Sequence, residues 1–168
     1  MKWNKVEQNE LKGNKDAENY NFISCFEHIL DEKGRLILPS KFRKIIKEKE
    51  IKNFYITSGL DSCLAMYPEE EWRKILKKAE SVLSFSKKDS RSFLRKLFSE
   101  AVEVSIDGQG RINLNGSLKK HARIDKEIIF VGMNNFVEIW SKEIWVKYME
   151  KTSQSYEEVA ESLTNLGL

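Results

Sequence analysis

The sequence predicts an α+β protein made of two tandem copies of one β-rich unit, with short helices packed around a β core and an unmatched C-terminal helix. Three observations carry this. A strand-turn-strand unit occurs twice, as Leu30-Asp31-Glu32-Lys33-Gly34-Arg35-Leu36 and Ile106-Asp107-Gly108-Gln109-Gly110-Arg111-Ile112. Apolar and polar residues alternate in Val102-Glu103-Val104-Ser105-Ile106-Asp107, the period of a strand with one buried and one wet face. The elements that follow the first unit also recur after the second, and independent segments rarely agree in element order, turn glycines and aromatic positions together.

Residues down to Tyr20 are rich in Asn, Lys and Glu, with only Trp3, Val6 and Leu11 scattered among them, and are expected to form a mobile extension. From Phe22 the pattern is strand-like, turns at Asp31 to Gly34, and resumes until Pro39, so a hairpin is expected. Ser40 is placed to cap a short helix through Ile46. Strands Phe54 to Thr57 and Cys63 to Tyr67 are expected around the turn Gly59 to Ser62. Pro68 suits the first position of a helix from Glu69 to about Ala79, with acidic residues at its positive end and lysines at its negative end.

A further helix is expected from Ser86, paired with Asp89 as a capping box, to about Phe98. It gathers Phe93, Leu94, Leu97 and Phe98 on one side and Lys87, Arg91 and Arg95 on another. The second copy then runs through Arg111 to Asn115, a short helix about Leu118 to Ala122, strands Glu127 to Val131 and Phe136 to Trp140 around Gly132 to Asn135, and a helix carrying Trp145. The separation is 76 residues from Asp31 to Asp107 but 73 from Gly59 to Gly132 and from Trp72 to Trp145, a drift expected to lie in a loop. The final helix, Ser155 to Leu166 with Glu158 completing a capping box, has no earlier counterpart. The expected organisation is an extension over 1–21, a first repeat over 22–80, a connecting helix over 81–100, a second repeat over 101–150 and a C-terminal helix over 151–168.

The chain has 168 residues and a net charge of +3, too small to prove a polyanionic partner, so the local clustering of cations decides. No apolar run reaches the length of a membrane span or a secretory signal, and a cytoplasmic protein is expected. Cys25 and Cys63 lack a paired spacing and read as small buried hydrophobes. His28 and His121 have no evident nucleophile or metal partners, and the Cys25 to His28 spacing alone is weak evidence for zinc. The expectation is no enzyme, no metal and no cofactor.

The second copy's alternation places Asp107 and Arg111 on its polar face, flanking a turn that Gly108 and Gly110 permit; Asp31, Gly34 and Arg35 correspond. The aspartates are expected to hold the turns by cross-strand ion pairs. The arginines are candidates for double-stranded DNA, because a β ribbon fits the major groove and arginine binds guanine O6 and N7 bidentately. Lys33, Arg35, Lys41, Arg43, Lys44 and Lys47 crowd the first hairpin and its helix, as a phosphate-tracking surface would. The second copy has Gln109 in place of Lys33 and keeps Arg111, so the first copy is expected to give more of the DNA contact and the second more of the packing or a supporting contact. The competing classes are an assembly protein built through its apolar helices and, less strongly, an RNA binder, for which no aromatic stacking platform is evident.

The order hairpin, short helix, two strands and helix, repeated once with Asp-x-x-x-Arg at each hairpin, resembles the MraZ family of bacterial transcriptional regulators. His28 to Pro39, Gly59 to Leu64, Lys87 to Arg91 and Val137 to Ser141 carry the resemblance, which spans Phe22 to Leu168. It implies an AbrB-type swapped-hairpin barrel made from two tandem half-barrel units in one chain. It also implies a ring-forming homo-oligomer at the nucleoid that binds repeated GTG-rich boxes before the operon of division and cell-wall genes. On the same ground the DNA-binding role of the first motif falls on Arg35, with Lys33 beside it. The chain departs from the family pattern at Leu114-Asn115-Gly116-Ser117, where a proline usually follows the second hairpin.

Overall fold

The computed structural model describes residues 19–82, 86–153 and 155–164. The expected extension falls outside these residues up to position 18, but its Tyr20 does not behave as a mobile residue: it is buried and stacked on Phe22 with ring centroids 5.8 Å apart.

The elements of the first half are β1 (Phe22–Ile29), β2 (Arg35–Ile37), α1 (Ser40–Glu48), β3 (Asn53–Ser58), β4 (Leu64–Pro68), α2 (Glu69–Val82) and α3 (Lys88–Ser99). The second half gives β5 (Val102–Ser105), β6 (Arg111–Asn113), α4 (Gly116–His121), β7 (Glu127–Asn134), β8 (Val137–Ser141), α5 (Lys142–Ser153) and α6 (Tyr156–Thr164). The element order matches the expected repeat.

The strand partners are where the local pattern misleads. Six strands form one antiparallel sheet in the order β1-β7-β8-β4-β3-β5, and β2 pairs with β6 in a separate two-stranded ribbon. The arms of each turn therefore do not zip into a hairpin of their own. A pair of backbone hydrogen bonds closes each turn, Asp31 N to Arg35 O at 2.9 Å with Gly34 N to Asp31 O at 2.8 Å, and Asp107 N to Arg111 O at 3.0 Å with Gly110 N to Asp107 O at 2.9 Å. Beyond that, β1 crosses to β7, β5 crosses to β3, and the two second arms meet each other. The sheet order reads the same from either end once each strand is exchanged for its repeat partner, which is a two-fold arrangement within one chain.

This exchange gives one shared core. Leu36 and Leu38 of the first half pack with Ile112 and Leu114 of the second, between Phe42 of α1 and Leu118 of α4 and against Phe54, Ile56, Ile128 and Phe130 of the sheet. The set draws on strands and helices of both halves, so its burial depends on the two together. A smaller cluster packs Cys63, Ile129 and Trp140 under Trp145 and Tyr148 of α5.

The three-residue drift between copies lies in a helix, not in a loop. α1 has nine residues and α4 six, yet both end alike, with a left-handed residue after the last turn, Glu50 at φ 52° and Arg123 at φ 49°. Ile51 N then bonds Ile46 O at 3.0 Å and Ile124 N bonds Lys119 O at 2.9 Å. One extra helical turn in α1 accounts for the difference.

The expected caps shift by a residue or two. Pro39 precedes α1 with extended backbone, and Ser40 is its first helical residue, making no side-chain cap. Asn115 caps α4 through its side chain, accepting from Leu118 N at 2.9 Å, so the departure from proline in the second copy exchanges a fixed φ for a capping amide. Pro68 ends β4 instead of opening α2, and α2 keeps Glu69, Glu70 and Glu71 in its first turn but runs past the lysines, leaving no base in its last turn. α3 begins at Lys88 after Lys87 and α6 at Tyr156, where the Ser155 hydroxyl donates to Thr152 O and does not complete a box with Glu158. Leu166 and Gly167 lie outside the described residues. Gly132 is not in a turn: it pairs within β7, where an added Cβ would lie 2.5 Å from the Phe22 backbone.

Candidate nucleic-acid interface

The two turns are built alike. Asp31 Oδ1 accepts the backbone N–H of Lys33 and of Arg35, both at 2.9 Å, and Asp107 Oδ1 accepts those of Gln109 and Arg111 at the same distance. This is the short polar side chain folding back on its own turn that makes aspartate a turn residue. The second oxygen receives the arginine: Arg35 Nε and Nη2 each stand 2.7 Å from Asp31 Oδ2, and Arg111 Nε stands 2.7 Å from Asp107 Oδ2. The backbone N–H of Arg35 is the main force holding the Asp31 carboxyl below its ordinary value, with the guanidinium bond adding to it, and Arg111 does the same for Asp107. Gly34 at φ 71° and Gly110 at φ 77° supply the left-handed residue each turn requires. Gly108, expected to be needed as well, has an ordinary φ and open space around it, and Glu32 takes its place in the first copy.

The aspartates thus hold both turn and arginine, while the guanidinium donors that do not face Asp remain for another ligand. The register of the ribbon sets where they point. Arg35 lies opposite Asn113 and Ile37 opposite Arg111, while Leu36 and Ile112 pair inward and are buried. Residues that alternate with a buried pair share the opposite face, so Arg35, Ile37, Arg111 and Asn113 all stand on the outer face of one ribbon. The two arginine Cα atoms are separated by two residues of rise, about 7 Å, and one strand spacing, about 5 Å. The groove-sized element expected as either hairpin is therefore β2 with β6, one strand from each copy.

The helix cations are distributed across the repeats. A Cβ on Gly110 would collide with Arg43 Cδ, and a Cβ on Gly34 would stand 2.6 Å from Lys119 Nζ. Arg43 of α1 and Lys119 of α4 are 76 residues apart and occupy the same place in their helices, so each lies over the turn of the other copy. Lys47 and Lys52 also border the second turn, with Glu50, whereas Lys119 and Lys126 border the first, with Asp125 and Glu32. The sequence-based assignment of Arg43 and Lys47 to the first turn is corrected by this crossing. Lys33 and Gln109 sit exposed at corresponding points of the two turns. Lys41 is directed onto β1, its Nζ 3.0 Å from Ser24 Oγ, and Lys44 lies 3.8 Å from Glu48 on an exposed helix face.

Other residues singled out from the sequence lie elsewhere. Cys25 is exposed on β1 and only Cys63 is buried, its thiol pushed up to about 12 by desolvation. Cys25 and His28, three apart on a strand, fall on opposite faces, and the His28 ring makes a T-shaped contact with Phe130, centroids 5.6 Å apart. Phe93 and Phe98 of α3 are exposed while Leu94 is buried. No helix among the described residues is long and apolar enough to cross a membrane. Sequence reasoning misses Ile37 and Asn113, whose only signal is alternation with Leu36 and Ile112, and misses the role of Lys119, which no local pattern reveals.

Two copies that exchange their first strands and join their second strands define the class: a tandem swapped-hairpin protein of AbrB-like units. A family model described as "MraZ protein, putative antitoxin-like" matches the chain twice, over residues 22–96 and 97–166. The chain is 47% identical to a protein of Thermoanaerobacter sp. named Transcriptional regulator MraZ, over 85% of this chain and 96% of that protein. Proteins of the same name from Syntrophomonas wolfei and Pediococcus pentosaceus are 46% and 45% identical, each over 88% of this chain and 99% of theirs. The chain belongs to the MraZ family.

Proposed function

We propose that this chain is a sequence-specific DNA-binding transcriptional regulator. It acts as a homo-oligomer, a ring, on repeated boxes upstream of the operon of division and cell-wall genes. The observation that carries the DNA part is the joint ribbon, with Arg35 and Arg111 at diagonal positions on its outer face and each steered by an aspartate of its own turn. An antiparallel ribbon of this kind fits a major groove, and pre-set guanidinium groups lose little freedom on binding a guanine edge. Arg43, Lys47, Lys119 and Lys126 flank the ribbon, with Lys33 and Gln109 at the turn tips, as phosphate contacts would require. The regulatory part is supported by the names of the relatives.

Footprinting on the chain's own upstream region at two salt concentrations tests this. Protection of repeated boxes that weakens steeply with salt is expected from counterion release. In a shift assay on the protected duplex, Arg35→Ala and Arg111→Ala are each expected to weaken binding about tenfold to a hundredfold. An unprotected region, or binding indifferent to both changes, overturns the reading. The exposed Phe93 and Phe98 on α3 favour a second reading, an assembly protein with only non-specific DNA affinity. In that case subunit association persists as salt rises while no box is distinguished from random sequence.

A further inference from the structure

The outer face of the β2·β6 ribbon is two-fold symmetric in its arginines and asymmetric in everything else. Arg35 and Arg111 are 76 residues apart, as are Ile37 and Asn113, so the arginines exchange with each other under the two-fold while an isoleucine exchanges with an asparagine. Both of the unlike residues are exposed, Ile37 to 43%. Asn113 makes no side-chain hydrogen bond to another described residue, and neither side chain enters the core that Leu36 and Ile112 close beneath the ribbon. Single exposed apolar residues are ordinary on a protein surface, so Ile37 counts through its place: it is the one apolar group among the four residues of the ribbon's outer face, with Arg111 directly opposite and Arg35 two residues before it. It has a use on a surface that meets an apolar group.

Deepening the DNA proposal above, on which it rests, we infer that Ile37 and Asn113 are specificity-determining residues that make the ribbon read a non-palindromic site in one orientation. Two equal ribbon ends would read two equal half-sites, because symmetry in the protein is mirrored in its operator. Here one end offers an aliphatic group, whose match in the major groove is the thymine methyl. The other offers an amide, whose match is the N6 and N7 edge of adenine. The occupant of this face is duplex DNA on grounds of charge: two guanidinium groups on the face and lysines at both of its ends call for a polyanion. The arginines supply affinity and the contact to guanine that the two ends share. The unlike pair decides which way round the duplex lies.

Selection from a random-sequence duplex pool, with the intact chain, tests the inference whatever the natural target is. The wild type is expected to enrich a non-palindromic site. Asn113→Ile, which equalises the ends, is expected to lose about tenfold or more of the preference at one base pair and to recover a more symmetric site. Asn113→Gln, which keeps the amide, retains the preference for adenine there. Ile37→Asn is expected to change the base pair at the opposite end of the site and no other. Thermal unfolding of each variant establishes that the ribbon is intact, and Ile37→Val serves if Ile37→Asn unfolds, with a weakened thymine preference expected. Unchanged sites from all folded variants overturn the inference while leaving the regulator reading in place. A wild type that enriches nothing overturns both.

Discussion

The two turns share one backbone, one aspartate clamp and one arginine, and differ in almost everything around them. The first has a lysine at its tip and is bordered by Lys119 and Lys126 but also by Glu32 and Asp125. The second has a neutral glutamine at its tip and is bordered by Arg43, Lys47 and Lys52 against a single carboxylate, Glu50. Judged along the sequence, the first turn is the basic one; judged in space, the second is at least its equal. Strand exchange separates a motif from its sequence neighbours, so the field at each turn is set by the helix of the other copy.

The contrast holds only if the two halves stand or fall together, and stability is where the change should be greatest. Phe42 of α1 and Leu118 of α4 are equivalent and both buried in the shared core. Phe42→Ala is expected to cost about 3 to 5 kcal/mol and Leu118→Ala about 2 to 5 kcal/mol. Because β1 and β5 are exchanged, each is expected to lower one common denaturation midpoint and not to melt its own half. Circular dichroism and tryptophan fluorescence check this together, since Trp72 and Trp140 report on opposite halves. Two separated transitions would show that the halves are independent and that the contrast between turns is local.

A more modest change would locate the crossing itself. On any duplex that the chain binds, Arg43→Ala and Arg111→Ala are expected to be coupled, the double variant losing roughly twofold or more less than the product of the single losses. Arg43→Ala with Arg35→Ala should multiply without coupling, and Lys119→Ala should couple with Arg35→Ala. Each lysine or arginine that meets a phosphate should also reduce the salt slope by about one. Coupling confined within each repeat would show that the cations act with their sequence neighbours after all.

What is legible in the sequence follows the same line. Period-two alternation, turn glycines and the spacing of Asp31 to Arg35 are local, and these place the turns, the element order and the duplication. Alternation says which face of a strand is buried but not which strand lies beside it, so it leaves β2 beside β1 when its partner is β6. A helix boundary depends on which of two neighbouring residues turns extended, which is why Ser40, expected as a cap, is the first helical residue of α1, and why Pro68 and Ser86 fall one and two residues before the true starts of α2 and α3. The drift from 76 to 73 is visible in the chain, but only the matching ends of α1 and α4 place it in a helix. At the site, the clamp is legible because both partners lie within one turn, whereas Lys119 over Gly34 and the outer face shared by Ile37 and Asn113 depend on pairing between copies.

The subtlest measurement asks whether the aspartates serve the turn or the arginine. Both carboxyls are held below the ordinary 3.8, first by the backbone N–H of the arginine four residues on and next by its guanidinium. A depressed folded value means that the stabilisation is complete above the unfolded value and is lost as pH falls through the lower folded one. Carboxyl carbon NMR is expected to give midpoints below 3.8 for both Asp31 and Asp107, with the turn amides of Lys33 and Gln109 shifting over the same acid range. Arg35→Ala removes the guanidinium but keeps the N–H groups of residues 33 and 35, so the Asp31 midpoint should rise only part of the way while Asp107 stays unchanged. A complete return to the ordinary value would make the arginine, and not the turn, the reason for the aspartate. The two turns would then be alike because they hold the same arginine, with their shared backbone a consequence.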